Sequence, residues 1–109
     1  MKIAVIGAGS WGTCLAILLA EKGYDVKLWA RREELAKEIE SKKENTQYLP
    51  GVKFPNNLIV DFSMKDVIEN TDMILSAIPS QFLRQVMNDV KKHYNKQIII
   101  SVTKGLEHH

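Results

Sequence analysis

A chain of 109 residues with 45% hydrophobic and 26% charged residues has the makeup of one ordinary globular domain, which excludes disordered, collagen-like and fibrous classes. Its 15 basic residues against 13 acidic ones leave a formal net charge of +2, too small and too interleaved to argue for a nucleic-acid or anionic-membrane partner. The lone cysteine, Cys14, forbids an internal disulfide and fits a reducing, cytoplasmic compartment, while no apolar run is long enough to span a bilayer and no signal peptide is expected.

Residues 2–6, Lys-Ile-Ala-Val-Ile, form a short apolar run rich in β-branched side chains and predict a buried strand. Gly7-Ala8-Gly9-Ser10-Trp11-Gly12 follows, and then residues 13–22, where Leu15, Leu18 and Leu19 recur at helical spacing. Gly23 is placed to stop that helix, and residues 25–30 alternate polar with apolar as a second strand would. Residues 33–43 carry Glu33 and Glu34 early and lysines late, with Leu35, Ala36 and Ile39 on one face, which suits a second, partly solvated helix.

Residues 45–57 hold Pro50, Gly51, Pro55 and paired asparagines, so an irregular connection is expected before a short strand at residues 58–60. Ser63-Met64-Lys65-Asp66 has the form of a capping box opening a short helix that ends near Asn70. A strand at residues 73–78 comes next. From Pro79-Ser80 a helix is predicted whose Phe82, Val86 and Val90, with Leu83 and Met87, form a stripe assigned to packing on the sheet. Residues 97–102 close the series as a fifth strand. The alternation predicts an α/β domain with a doubly wound parallel sheet, covered on both faces, in strand order 3-2-1-4-5.

Three glycines spaced G-x-G-x-x-G are weak evidence alone. Here they follow a predicted strand, open a predicted helix and sit in a βαβ unit, the setting of a Rossmann-like dinucleotide fingerprint. Gly7 would make the tight turn, Gly9 would let the backbone approach a pyrophosphate, and Gly12 would let helix and strand pack closely. The amides near Ser10, Trp11 and Gly12 would aim partial positive charge at the phosphates.

At the end of the second strand, where an NAD-preferring site offers a carboxylate to the ribose, stand Ala30, Arg31 and Arg32. Asp25 lies at the far end of that strand, about 16 Å away at strand rise. Two guanidinium groups suit a 2′-phosphate and can stack on adenine, so NADP(H) is expected to be accepted at least as well as NAD(H). The opposing reading, that the two arginines merely flank a solvated helix, has to explain cations at a helix N-terminus, where they oppose the dipole.

Together with these features, Leu28-Trp29-Ala30-Arg31-Arg32, Asn45 with Tyr48-Leu49-Pro50-Gly51, Ile78-Pro79-Ser80-Gln81-Phe82 and Thr103-Lys104-Gly105-Leu106-Glu107 give the whole chain a specific likeness. It resembles the N-terminal domain of the bacterial NAD(P)-dependent glycerol-3-phosphate dehydrogenase family. The resemblance implies reversible hydride transfer between dihydroxyacetone phosphate and sn-glycerol 3-phosphate, for glycerophospholipid synthesis.

It further implies Ser10 and Trp11 on the pyrophosphate, Arg31 and Arg32 on the adenosine side, Phe82 near the nicotinamide half and Tyr48 as a looser cofactor contact. Lys104 would meet both cofactor and substrate, and a lysine at the carboxyl edge of a parallel sheet can hold a phosphorylated substrate or polarise its carbonyl. The family's second, helical domain carries the main general acid-base lysine, which these residues lack. The chain alone is therefore expected to bind cofactor and turn over little. For the full-length protein a homodimer is suggested.

Leu106-Glu107-His108-His109 reads as the remnant of a Leu-Glu-polyhistidine tag, which sets His108 and His109 aside as metal ligands and leaves residues 1–107 as one dinucleotide-binding domain of a longer enzyme. No zinc-ligand spacing is present, so no metal is expected. Cys14 reads as a small residue packed against the sheet and His93 as a solvated helix end. Lys42-Lys43 and Lys91-Lys92 lack interleaved aromatics and do not support nucleic-acid binding. Two further readings stay open: a non-catalytic dinucleotide-binding or redox-sensing module, and a related NAD(P)-dependent reductase.

Overall fold

The computed structural model describes residues 1–102, so the expectations placed on Lys104, Glu107, His108 and His109 lie outside the described residues. Five parallel strands form the main sheet: β1 (Lys2–Ile6), β2 (Asp25–Trp29), β5 (Leu58–Asp61), β6 (Met73–Ser76) and β7 (Ile98–Ser101). Four helices alternate with them: α1 (Ser10–Glu21), α2 (Glu33–Lys42), α3 (Met64–Ile68) and α4 (Ser80–His93). Between α2 and β5 lies a separate antiparallel hairpin, β3 (Glu44–Asn45) and β4 (Leu49–Lys53).

The hairpin corrects the expectation of an irregular segment at residues 45–57. Its strands show no apolar alternation and one contains Pro50 and Gly51. Side chains hold it together: the Gly51 N–H donates to Glu44 Oε2 at 2.9 Å, and Lys53 Nζ lies 3.4 Å from Glu44 Oε1. Because these two strands precede β5, the sheet order in chain numbering is β5-β2-β1-β6-β7 rather than 3-2-1-4-5.

Strand periodicity divides the core. Ile3 and Val5 face one side with Val26, Leu28, Leu58 and Val60, where Ala16, Ile17 and Ala20 of α1 and Ala36 and Ile39 of α2 cover them. Ala4 and Ile6 face the other side with Ile74, under Val67 and Ile68 of α3 and Val86 and Val90 of α4. The Ser63 hydroxyl accepts the Asp66 N–H and caps α3, while Lys27 Nζ donates to the carbonyls of Asp66 and Glu69 at its other end.

Two expectations about packing need correction. Among the described residues the sheet is not covered throughout, since Ile98, Ile99 and Ile100 of the edge strand β7 are all exposed. Phe82 is exposed too and does not join Val86 and Val90 in the core, because it sits in the first turn of α4, beyond the end of β6. Cys14 is half-buried on α1. His93 is also half-buried, 3.9 Å from Asp89.

The turn from β1 into α1 depends on two glycines. Gly7 has φ +118°, and a Cβ there would lie 2.8 Å from the Ala77 carbonyl oxygen. A Cβ on Gly12 would fall on the Gly7 carbonyl oxygen. Gly9 differs: its φ of −72° suits any residue and its Cβ direction is open. Gly12→Ala is expected to cost about 1–3 kcal/mol of unfolding free energy. Gly9→Ala is expected to leave stability unchanged or raise it by up to about 1 kcal/mol. Urea denaturation of the two variants checks both.

Donation from the Gly51 N–H, with a smaller contribution from Lys53, holds the Glu44 carboxyl below its ordinary 4.5. A carboxyl lowered in the folded state stabilises the hairpin fully above that ordinary value, and the contribution fades as the pH falls through the lower folded value. Amide exchange at Gly51, corrected for its intrinsic pH dependence, should therefore lose protection in acid. Glu44→Gln should remove that pH dependence.

Candidate functional site

Because all five strands of the main sheet are parallel, the segments leaving β1, β2 and β6 meet at one edge. The Gly7 N–H donates to the Trp29 carbonyl at 3.1 Å and the Ala77 N–H to the Ile6 carbonyl at 2.8 Å, which binds the three strand ends together. There the chain goes one way from β1 to β2 and the other way to β6, the topological switch where doubly wound sheets open a crevice. A cleft of about 750 Å³ lies at this point.

One wall is the glycine turn, with Gly7, Gly9, Ser10, Trp11 and Gly12 all on the cleft. Gly9 caps α1 without any side-chain bond, and no acidic residue occupies the first turn. The first bond of the helix runs from the Thr13 N–H to the Gly9 carbonyl at 2.9 Å, and the Gly9 and Ser10 amides donate to no group among the described residues. The Gly9 and Ser10 N–H groups and the positive end of the helix dipole thus lie at the cleft, and no acidic side chain among the described residues lines it.

Opposite stand Arg31 and Arg32, just past β2, where Arg32 is the N-cap of α2. Among the described residues neither is held by an ion pair or hydrogen bond, and no carboxylate lines the cleft. The acid beside them in the sheet, Asp61, is paired in register with Trp29, but its Oδ1 accepts the N–H groups of Phe62 at 2.7 Å and Ser63 at 3.1 Å. The site therefore carries two uncompensated guanidinium charges.

Phe82, from the start of α4, also lines the cleft, and the Arg31 guanidinium carbon sits 5.8 Å from its ring centre. That cation–π contact reaches from the β2 side of the cleft to the β6 side. Tyr48, in the hairpin connection, closes a further side with its ring half-exposed. The Trp11 indole N–H donates to the Val102 carbonyl at 3.0 Å, which brings the end of the described chain to the rim.

The structure thus gathers nine of the ten sequence-predicted site residues in one cleft, and the tenth, Lys104, lies outside the described residues. Sequence reasoning did not assign the apolar lining from Ala8, Trp29, Leu35, Ala77, Ile78, Pro79 and Val86. It also gave no role to Asn45, which is buried under the turn. Asn45-Thr46-Gln47-Tyr48 carries the signal of a local asparagine turn, yet its bonds to Ala8 and Thr13 span too much sequence to be read from spacing. Among the described residues no group of side chains could hold a metal ion, and no helix is long and apolar enough to cross a membrane.

Comparison with known proteins gives a consistent result. Residues 2–109 match the family described as NAD-dependent glycerol-3-phosphate dehydrogenase N-terminus. A glycerol-3-phosphate dehydrogenase [NAD(P)+] of Chlorobium phaeobacteroides is 50% identical over 98% of this chain, and one of Bacillus thuringiensis is 40% identical over 97%. The chain spans about a third of the length of these curated relatives, 32% in each case. The crystal structure of glycerol-3-phosphate dehydrogenase from Coxiella burnetii superposes with a TM-score of 0.90 at 37% identity, covering 96% of this chain and 33% of that one. The match along nearly the whole sequence, on a fold whose glycine turn opens this cleft, shows that the chain belongs to the NAD-dependent glycerol-3-phosphate dehydrogenase N-terminal family.

Proposed function

We propose that this cleft binds NAD(P)H, and that the chain serves as the cofactor-binding part of an enzyme interconverting dihydroxyacetone phosphate and sn-glycerol 3-phosphate. The observation that carries the reading is the pairing, across one cleft, of the unpaired Gly9 and Ser10 amides at the α1 N-terminus with two arginines that no carboxylate among the described residues neutralises. The open Cβ direction at Gly9 supports a ligand that approaches the backbone closely.

In this reading the amides of Gly9 and Ser10 hold the diphosphate, with Trp11 at its side and Gly7 and Gly12 keeping the turn tight. Arg31 and Arg32 hold the adenosine half, including a 2′-phosphate where there is one, so NADP(H) is accepted at least as well as NAD(H). Phe82 borders the nicotinamide half and Tyr48 makes a looser contact. The bound dinucleotide supplies the hydride. Lys104 follows Val102 closely in sequence, and the hydrogen bond that the Trp11 indole N–H donates to the Val102 carbonyl at the rim supports assigning that lysine to cofactor and substrate.

The lysine that moves the proton is assigned to the part of the relatives that this chain does not span, so the chain alone binds cofactor without turnover. The enzyme is placed in the cytoplasm as a homodimer acting on a small phosphorylated substrate. Family membership favours this over a binding module without chemistry.

A thermal-shift titration tests the reading. At about 100 times its dissociation constant a ligand adds about 2.7 kcal/mol, so NADPH should raise the melting temperature clearly and NADH no more than NADPH. Arg31→Asp should lower the NADPH-to-NADH preference by about 10- to 100-fold, the scale of one charge-assisted hydrogen bond. No shift with either dinucleotide, or an unchanged preference in Arg31→Asp, would contradict the assignment.

A further inference from the structure

Asn45 is fully buried beneath the glycine turn and does not line the cleft. Its Nδ2 donates to the Ala8 carbonyl at 2.9 Å and to the Thr13 hydroxyl at 2.9 Å, while its Oδ1 accepts the Tyr48 N–H at 3.1 Å. Both amide hydrogens are thereby used, and rotating the amide by half a turn would set oxygen against the Ala8 carbonyl oxygen. The network thus allows one orientation.

That orientation has a consequence one bond away. The peptide joining Ala8 to Gly9 is trans, like every described peptide bond, so its C=O and N–H point in opposite directions. With the Ala8 carbonyl drawn inward onto Asn45, the Gly9 N–H points away from Asn45; Gly9 lines the cleft, and no group among the described residues accepts that N–H. If the same peptide were flipped, a carbonyl oxygen would stand where the diphosphate is assigned.

We propose that Asn45 is a positioning residue for the cofactor's diphosphate. By holding the Ala8 carbonyl it aims the Gly9 N–H at the phosphate oxygens, and by holding the Tyr48 N–H it ties the β3–β4 hairpin to the same turn. This rests on the dinucleotide reading above and adds to it a buried group that sets the donor pattern without touching ligand.

The test compares ADP, which carries a diphosphate, with adenosine, which carries none, on the 109-residue chain. Asn45→Ser is neutral, and its shorter hydroxyl can still accept the Tyr48 N–H locally but cannot reach Ala8. It should weaken ADP by about 10- to 100-fold, the scale of one hydrogen bond to a charged group, and change adenosine affinity less than about twofold. Thr13→Val, which leaves the bond to Ala8 in place, should keep the ADP-to-adenosine ratio within about threefold of the unaltered chain. Equal losses for ADP and adenosine in Asn45→Ser, or no loss for ADP, would overturn the proposal.

Amide spectra of the unaltered chain give a second measure that does not depend on the variant folding. The Gly9 N–H signal should move with ADP and stay still with adenosine. If the Ser10 and Trp11 amides respond to ADP while Gly9 is silent, the Asn45 proposal fails and the dinucleotide reading stands. If no cleft amide responds to ADP, NADPH or NADH, both fail together.

Discussion

The close approach of Gly12 to the Gly7 carbonyl is the constraint on which the rest of the site depends. A strand and a helix can be joined this tightly only where no Cβ separates them, and the tightness puts the first turn of α1 at the carboxyl edge of β1. The parallel sheet then brings the ends of β2 and β6 to the same edge, with backbone hydrogen bonds joining Gly7 to Trp29 and Ala77 to Ile6. The cleft follows from topology. What gives it a chemical character is charge: unpaired Gly9 and Ser10 amides on one side, two guanidinium groups without an ion pair among the described residues on another, and no acid among those that line it.

The hairpin adds a support of a different kind. β3 and β4 lie apart from the main sheet, yet Asn45 of β3 is as deeply buried as the core aliphatics and bonds directly to the turn. A buried side-chain amide is tolerated only when its hydrogen bonds are made, and here all three go to groups next to or within the site. The hairpin is therefore mechanically part of the cleft, although only Tyr48 from this region faces it.

Much of this was legible in the sequence because it depends on local patterns. Alternation gave the strands their faces, and the glycine spacing in a strand-to-helix setting marked the turn. The run Ala30-Arg31-Arg32 showed that the usual carboxylate is missing. The hairpin was not legible, because Leu49-Pro50-Gly51-Val52-Lys53 has neither alternation nor β-propensity throughout and is held by Glu44 and Asn45 side chains. Phe82 was misassigned to a packing stripe since its spacing from Val86 and Val90 is helical, whereas its place in the first turn of α4 carries it beyond the sheet. The exposure of β7 was equally hidden: Ile98-Ile99-Ile100 reads as a strand buried on both faces, and its accessibility reflects which elements of the described residues pack there, a non-local fact.

A crystal of the chain soaked with NADPH would show each anionic group of the ligand against the residues that hold it. The expected density has the diphosphate on the Gly9 and Ser10 amides, the 2′-phosphate against Arg31 and Arg32, and the Ala8 carbonyl still on Asn45. A dinucleotide bound elsewhere, or one in this cleft with its 2′-phosphate turned away from both arginines, would contradict that placement.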